Sequence, residues 1–100
     1  MKTLTKKQLK QLENEYPKWK LSTSASKISK TYIFEKHIDA LIFIARISVN
    51  AEILKHHPEI NFTSCRVKIS LSTKEERAIT PKDVLLLKKI ESISLVKGDK

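Results

Sequence analysis

Lys55-His56-His57-Pro58-Glu59 sets two of the chain's three histidines side by side. Histidine both gives and takes protons near neutrality, so an adjacent pair suits chemistry that moves a proton onto one substrate atom and off another. Pro58 disfavours helical geometry in the residue before it, which pushes His57 toward an extended backbone. Glu52 stands four residues before His56, one helical turn away, where a carboxylate can orient an imidazole and favour its charged form. An ordinary helix end accounts for the same residues: histidine near a C-terminus complements the helix dipole, and proline is a common stop signal. The local motif leaves both readings open.

The pair is held by what lies on either side of it. Upstream, Ile38 to Leu54 is the longest apolar run and reads as a helix. Ile38, Leu41, Ile42, Ala45 and Val49 form the stripe expected to face the sheet, while Ala40, Phe43, Ile44 and Ile47 widen the apolar zone almost all round. A helix apolar on most sides is covered on most sides, either by another subunit or by the first or third helix. Downstream, Ile60 and Phe62 share one face of a strand. Val67, Ile69 and Leu71 then alternate with Arg66, Lys68 and Ser70 in another strand with one wet face.

Earlier in the chain, Thr5-Lys6-Lys7-Gln8 has capping-box form, with Leu4 and Leu9 as a hydrophobic staple. Leu9, Leu12 and Tyr16 continue the stripe of a first helix that Pro17 ends. Lys18 to Ser22 reads as a first strand, 22–26 as a polar turn, and Ile28, Tyr32 and Phe34 as one face of a second strand, with Lys30 an exception. Thr80 caps the last helix and Pro81 takes its first position, with Leu86, Leu87, Ile90 and Ile93 as core contacts. The expected fold is a single α+β domain over residues 1–100, a four-stranded antiparallel sheet with three helices on one face in the order α-β-β-α-β-β-α.

One hundred residues, 40% of them hydrophobic, support one small core that oligomerisation would help. Arg46 and Asn50 interrupt the longest apolar run, and Met1 to Lys7 lacks the apolar core of a secretory signal, so a soluble cytoplasmic protein is expected. Cys65 stands alone, which excludes an intramolecular disulfide and a cysteine zinc cluster. A net charge of +9 and a pI near 9.8 raise nucleic-acid binding. Against it, the only arginines are Arg46, Arg66 and Arg77, and the lysines spread from Lys2 to Lys100. Nucleic acid is therefore not the expected partner.

In this order of elements, the chain resembles the pterin-4a-carbinolamine dehydratase family. The resemblance rests on Ala51-Glu52 leading into His56-His57-Pro58-Glu59, on Leu71-Ser72-Thr73, and on Asp83 opening the last helix, with Trp19 and Phe34 also in place. It implies dehydration of a 4a-hydroxytetrahydropterin to the quinonoid dihydropterin, in recycling tetrahydrobiopterin, by a homodimer or homotetramer without metal or further cofactor. By position, it implies that His56 is an acid/base group and His57 a pterin contact. Glu52, Pro58, Ser72, Thr73 and Asp83 would line or support the substrate pocket.

Three positions depart from the family pattern: Lys74 replaces a third histidine, Ser64 an aromatic residue and Ile60 a tryptophan. A lysine ordinarily stays protonated near neutrality; it is a poor base but can hold a departing hydroxide by charge. Lys74 therefore counts with His56 and His57 among the candidate catalytic residues. The alternative is a catalytically weakened relative that serves as a protein-interaction or assembly module.

Overall fold

A computed structural model describes residues 3–93; residues 1–2 and 94–100, the ends of the expected single domain, lie outside the described residues. The elements run α1 (Lys6–Glu15), β1 (Lys20–Leu21), β2 (Ile28–Ile33), α2 (His37–Leu54), β3 (Glu59–Thr63), β4 (Arg66–Leu71) and α3 (Pro81–Ile93). The four strands form one antiparallel sheet in the order β1-β2-β4-β3. The architecture is the α+β fold expected from the sequence.

Local chemistry explains the element ends. The Thr5 hydroxyl accepts the Gln8 N–H at 3.2 Å and the Gln8 side chain accepts the Thr5 N–H at 2.8 Å, completing the capping box. The first strand is shorter than the Lys18–Ser22 span expected, because Trp19 turns into the core before β-pairing begins at Lys20. In β4, Val67, Ile69 and Leu71 are fully buried and meet Tyr32, Lys30 and Ile28 across the β2 register. Phe43 of α2 lies over this layer, its ring centroid 4.6 Å from that of Tyr32 and 5.3 Å from that of Phe34.

The stripe expected to face the sheet is corrected. Ala40, Phe43, Ile47 and Ala51 of α2 are fully buried, whereas Ile38, Leu41, Ile42 and Val49 are exposed, as is Ile53. At about 100° per residue, α2 carries two apolar stripes on opposite sides, separated by Asp39, Arg46 and Asn50 on one flank and Ser48 and Glu52 on the other. Periodicity favours neither stripe. Phe43 and the small Ala40 and Ala51 decide, one by packing its ring against Tyr32 of β2 and Phe34 just beyond it, the others by allowing close approach. Neither α1 nor α3 covers the outer stripe.

Lys30 is not an exception to its strand either. It points inward with its neighbours, and its ammonium reaches Glu91 of α3 at 2.9 Å and lies 4.2 Å from the Tyr32 ring centroid. The same Glu91 oxygen, Oε2, also accepts Tyr32 Oη at 2.6 Å and Trp19 Nε1 at 3.0 Å. Burial works to raise the Glu91 pKa, but hydrogen bonds from Tyr32, Lys30 and Trp19 and the Lys30 charge outweigh it and hold the carboxyl below its ordinary value.

Candidate active site

The long helix stops at Lys55, three residues before Pro58. Lys55 adopts left-handed geometry (φ 55°, ψ 41°), and the His56 N–H returns to the Ala51 carbonyl at 3.0 Å. A residue with a β-carbon pays roughly 1–2 kcal/mol for that backbone, and glycine usually stands there. The turn takes His56 off the helical path. Its expected partner, Glu52, therefore does not reach it.

His56 meets Asp83 instead. Its Nε2 lies 2.5 Å from Asp83 Oδ1, with the imidazole 11% exposed and the carboxylate fully buried. The other oxygen, Asp83 Oδ2, accepts the Thr73 hydroxyl and the Thr80 N–H, each at 2.9 Å. Thr73 and Thr80 hydroxyl oxygens are 2.7 Å apart; since Thr73 gives its only proton to Asp83, Thr80 donates to Thr73. Thr80 takes the cap position expected of it, directly before Pro81, its carbonyl accepting the Asp83 N–H at 2.9 Å; its hydroxyl turns to Thr73, and Asp83 accepts the Thr80 N–H from the third helical position.

A carboxylate only accepts, so His56 Nε2 carries the proton in this pair. The neutral ring then has its lone pair on Nδ1, which no other described residue engages by hydrogen bond. His57 is held differently: its Nε2 lies 2.7 Å from Glu52 Oε1 in a pair exposed on both sides. An exposed pair of this kind orients a side chain but adds only about 0–1 kcal/mol.

Both histidines open onto a cleft of about 490 Å³, within the range usual for small-molecule sites. The end of α2 supplies Lys55, His56 and His57; the segment after β4 supplies Ser72, Thr73, Lys74, Glu75 and Glu76; α3 supplies Lys82. The 74–77 loop is closed at its base by an isolated bridge between Thr73 and Ala78, with the Thr73 N–H 2.8 Å from the Ala78 carbonyl. His56, His57, Ser72, Thr73 and Lys74 thus meet in one place. Asp83 lies beneath His56 and Glu52 behind His57, while Pro58 does not line the cleft and leads into β3.

Sequence reading missed Lys55, Lys82, Glu75 and Glu76 as cleft residues. Lys82 carried a usable signal, being next to Pro81 in a helix N-terminus that faces the histidines. The remaining histidine, His37, lies elsewhere: its Nδ1 donates to the Ser64 carbonyl at 2.8 Å and its ring stacks on Phe62.

Residues 2–93 match the family model described as Pterin 4 alpha carbinolamine dehydratase. The chain belongs to that family. A protein of Rhizobium leguminosarum provisionally named pterin-4-alpha-carbinolamine dehydratase is 35% identical over 80 residues, covering 80% of this chain and 79% of its own. One of the same provisional name from Sulfurisphaera tokodaii is 31% identical over 93 residues, covering 93% and 98%. Among solved structures, a transcriptional coactivator/pterin dehydratase from Brucella melitensis superposes with a TM-score of 0.88 at 26% identity, covering 93% of this chain and 99% of its own. A pterin dehydratase-like protein described as a RuBisCO assembly factor in the alpha-carboxysome superposes at 0.66 with 16% identity, a likeness of fold alone. No helix among the described residues is long and apolar enough to cross a membrane.

Proposed function

We propose that the protein dehydrates a 4a-hydroxytetrahydropterin to the quinonoid dihydropterin in the His56–His57 cleft, as a cytoplasmic enzyme of pterin recycling. The observation that carries this reading is the His56–Asp83 pair at the cleft wall. With Nε2 committed to Asp83, His56 works through Nδ1, which accepts the N5 proton as the C4a–N5 double bond forms and the C4a–O bond breaks. The hydroxyl leaves as hydroxide beside the Lys74 ammonium and takes a proton from solvent to become water, while His56 returns the N5 proton to solvent, so that only water is lost and the imidazole is neutral again. His57, steadied by Glu52, and the Ser72 and Thr73 edge contact the ring.

The test follows a freshly generated carbinolamine by absorbance. Wild-type protein should accelerate its dehydration, and His56→Ala should lose about a hundredfold or more while remaining folded. No acceleration at high protein concentration rejects the reading.

A second reading, a family member used as an assembly module, draws on Lys74 at the histidine position and on the fold shared with the RuBisCO assembly factor. It requires an inactive wild-type protein and one specific partner recovered from the native host.

A further inference from the structure

The cleft holds more charge than the proposed dehydration uses. Lys55, Lys74 and Lys82 reach it from three different places: the end of α2, the loop after β4 and the first turn of α3. Among the described residues none of the three forms an ion pair within 4.0 Å, and neither do Glu75 and Glu76 on the same rim. The carboxylates nearest the histidines are already engaged, Asp83 with His56 and Glu52 with His57.

Two of the lysines stand where local energetics disfavour them. Lys55 occupies a left-handed backbone position suited to glycine. Lys82 adds a positive charge to the first turn of α3, where the helix dipole favours acids. Lys74 opens a loop pinned at the Thr73–Ala78 bridge, and its carbonyl accepts the Arg77 N–H at 3.2 Å, with Arg77 also left-handed at φ 52°. Departures from local preference that converge on one cavity are expected where a site has a use for them.

We infer that the cleft takes a pterin bearing an anionic substituent, a carboxylate or a phosphate, gripped by Lys55 and Lys82, with Lys74 kept for the departing hydroxyl. The inference rests on the pterin reading above and narrows its substrate class. Glu75 and Glu76, which only accept hydrogen bonds, suit the amino and ring N–H edge of the pterin, while the ammonium groups suit the far end. An uncharged substituent leaves Lys55 and Lys82 without an ion-pair partner among the described residues.

The experiment titrates the full chain with three probes followed by pterin fluorescence: 6-hydroxymethylpterin as the neutral control, pterin-6-carboxylate, and a pterin phosphorylated on its side chain. At low salt at least one anionic probe should bind about tenfold or more tightly than the neutral one, and the advantage should shrink as salt rises. The preferred anion distinguishes carboxylate from phosphate. Lys55→Gln with Lys82→Gln, both exposed positions, should bring the ratio toward one; a thermal melt checks that the double variant is folded. Equal binding of neutral and anionic probes overturns the inference and leaves the dehydratase reading standing, as does a preference that survives the double variant. Failure of all three probes to bind overturns the inference as well, while the dehydratase reading stands or falls on the carbinolamine assay.

Discussion

His56 Nε2 and Asp83 Oδ1 are 2.5 Å apart across 27 residues of sequence, and the same carboxylate receives Thr73 and the first turn of α3 through its other oxygen. The imidazole that faces the cleft is thus tied to the group that starts α3. Asp83→Asn preserves shape but replaces one acceptor by a donor, which either confronts the Thr80 N–H or turns the His56 ring to its other tautomer. The variant should lose at least about tenfold in dehydration, from misplacing an acid/base group. It should also lose about 1–3 kcal/mol of stability from an unsatisfied buried group. Nitrogen-15 spectra of the His56 ring check the tautomer; a spectrum and rate like wild type would show that Asp83 does not position His56.

Much of this site is legible in the sequence. The His-His-Pro element, the strand ending at Leu71 and the helix starting at Pro81 all follow from local patterns. What was not legible was which carboxylate serves which histidine. The one-turn rule pairs Glu52 with His56 only if the helix continues that far, and left-handed Lys55 ends it first. Nothing periodic links His56 to Asp83, because their contact is made by tertiary packing. The α2 face was illegible for another reason: two apolar stripes on opposite sides made equal claims on the core. Lys30 looked like a break in its strand because its partner, Glu91, lies 61 residues away.

The outer stripe of α2 leaves Ile38, Leu41, Ile42, Val49 and Ile53 between 42% and 73% exposed. Exposed apolar rows of this kind mark association surfaces, and a homodimer or homotetramer joined here is the expected assembly. Ile42→Glu combined with Val49→Glu should convert it to a monomer in sedimentation velocity while leaving the melt of the fold within about 1 kcal/mol, since neither side chain is in the core. A wild-type monomer at tens of micromolar, or an unchanged oligomer in the variant, would refute an assembly through this stripe.

Glu91 gives the fold an acid limb. Its pKa lies below the ordinary 4.5, so the folded state binds its proton less readily than the unfolded state. The stability this contributes is fully present above about pH 4.5 and is lost as pH falls through the lower folded value. Glu91→Gln should therefore cost about 2–4 kcal/mol at pH 7, because it leaves buried Lys30 without a counter-charge. The gap to wild type should narrow as pH drops below 4.5. Urea midpoints at pH 7, 5, 4 and 3 measure both arms; a gap constant across that range would mean the carboxylate charge contributes nothing.

Lys74 poses the sharpest test of the chemistry. It lines the cleft with His56 and His57, at the position where the resemblance places a third histidine. As an ammonium it can hold departing hydroxide by charge but passes its proton on reluctantly. An imidazole there would titrate near neutrality and do both. Lys74→His should therefore raise the dehydration rate of an uncharged 4a-hydroxytetrahydropterin by about tenfold or more, from the usual range for a placed acid/base group. The substitution also removes a positive charge, so wild type and variant have to be compared at matched ionic strength across a salt series. His56→Ala supplies the reference for lost proton transfer, and the double variant should fall back to that level, because an acid for the hydroxyl is of little use without the base for N5. If Lys74→His leaves the rate unchanged while His56→Ala abolishes it, the lysine is not standing in for a histidine. If neither change moves the rate of an active protein, the pterin chemistry assigned to this cleft is wrong.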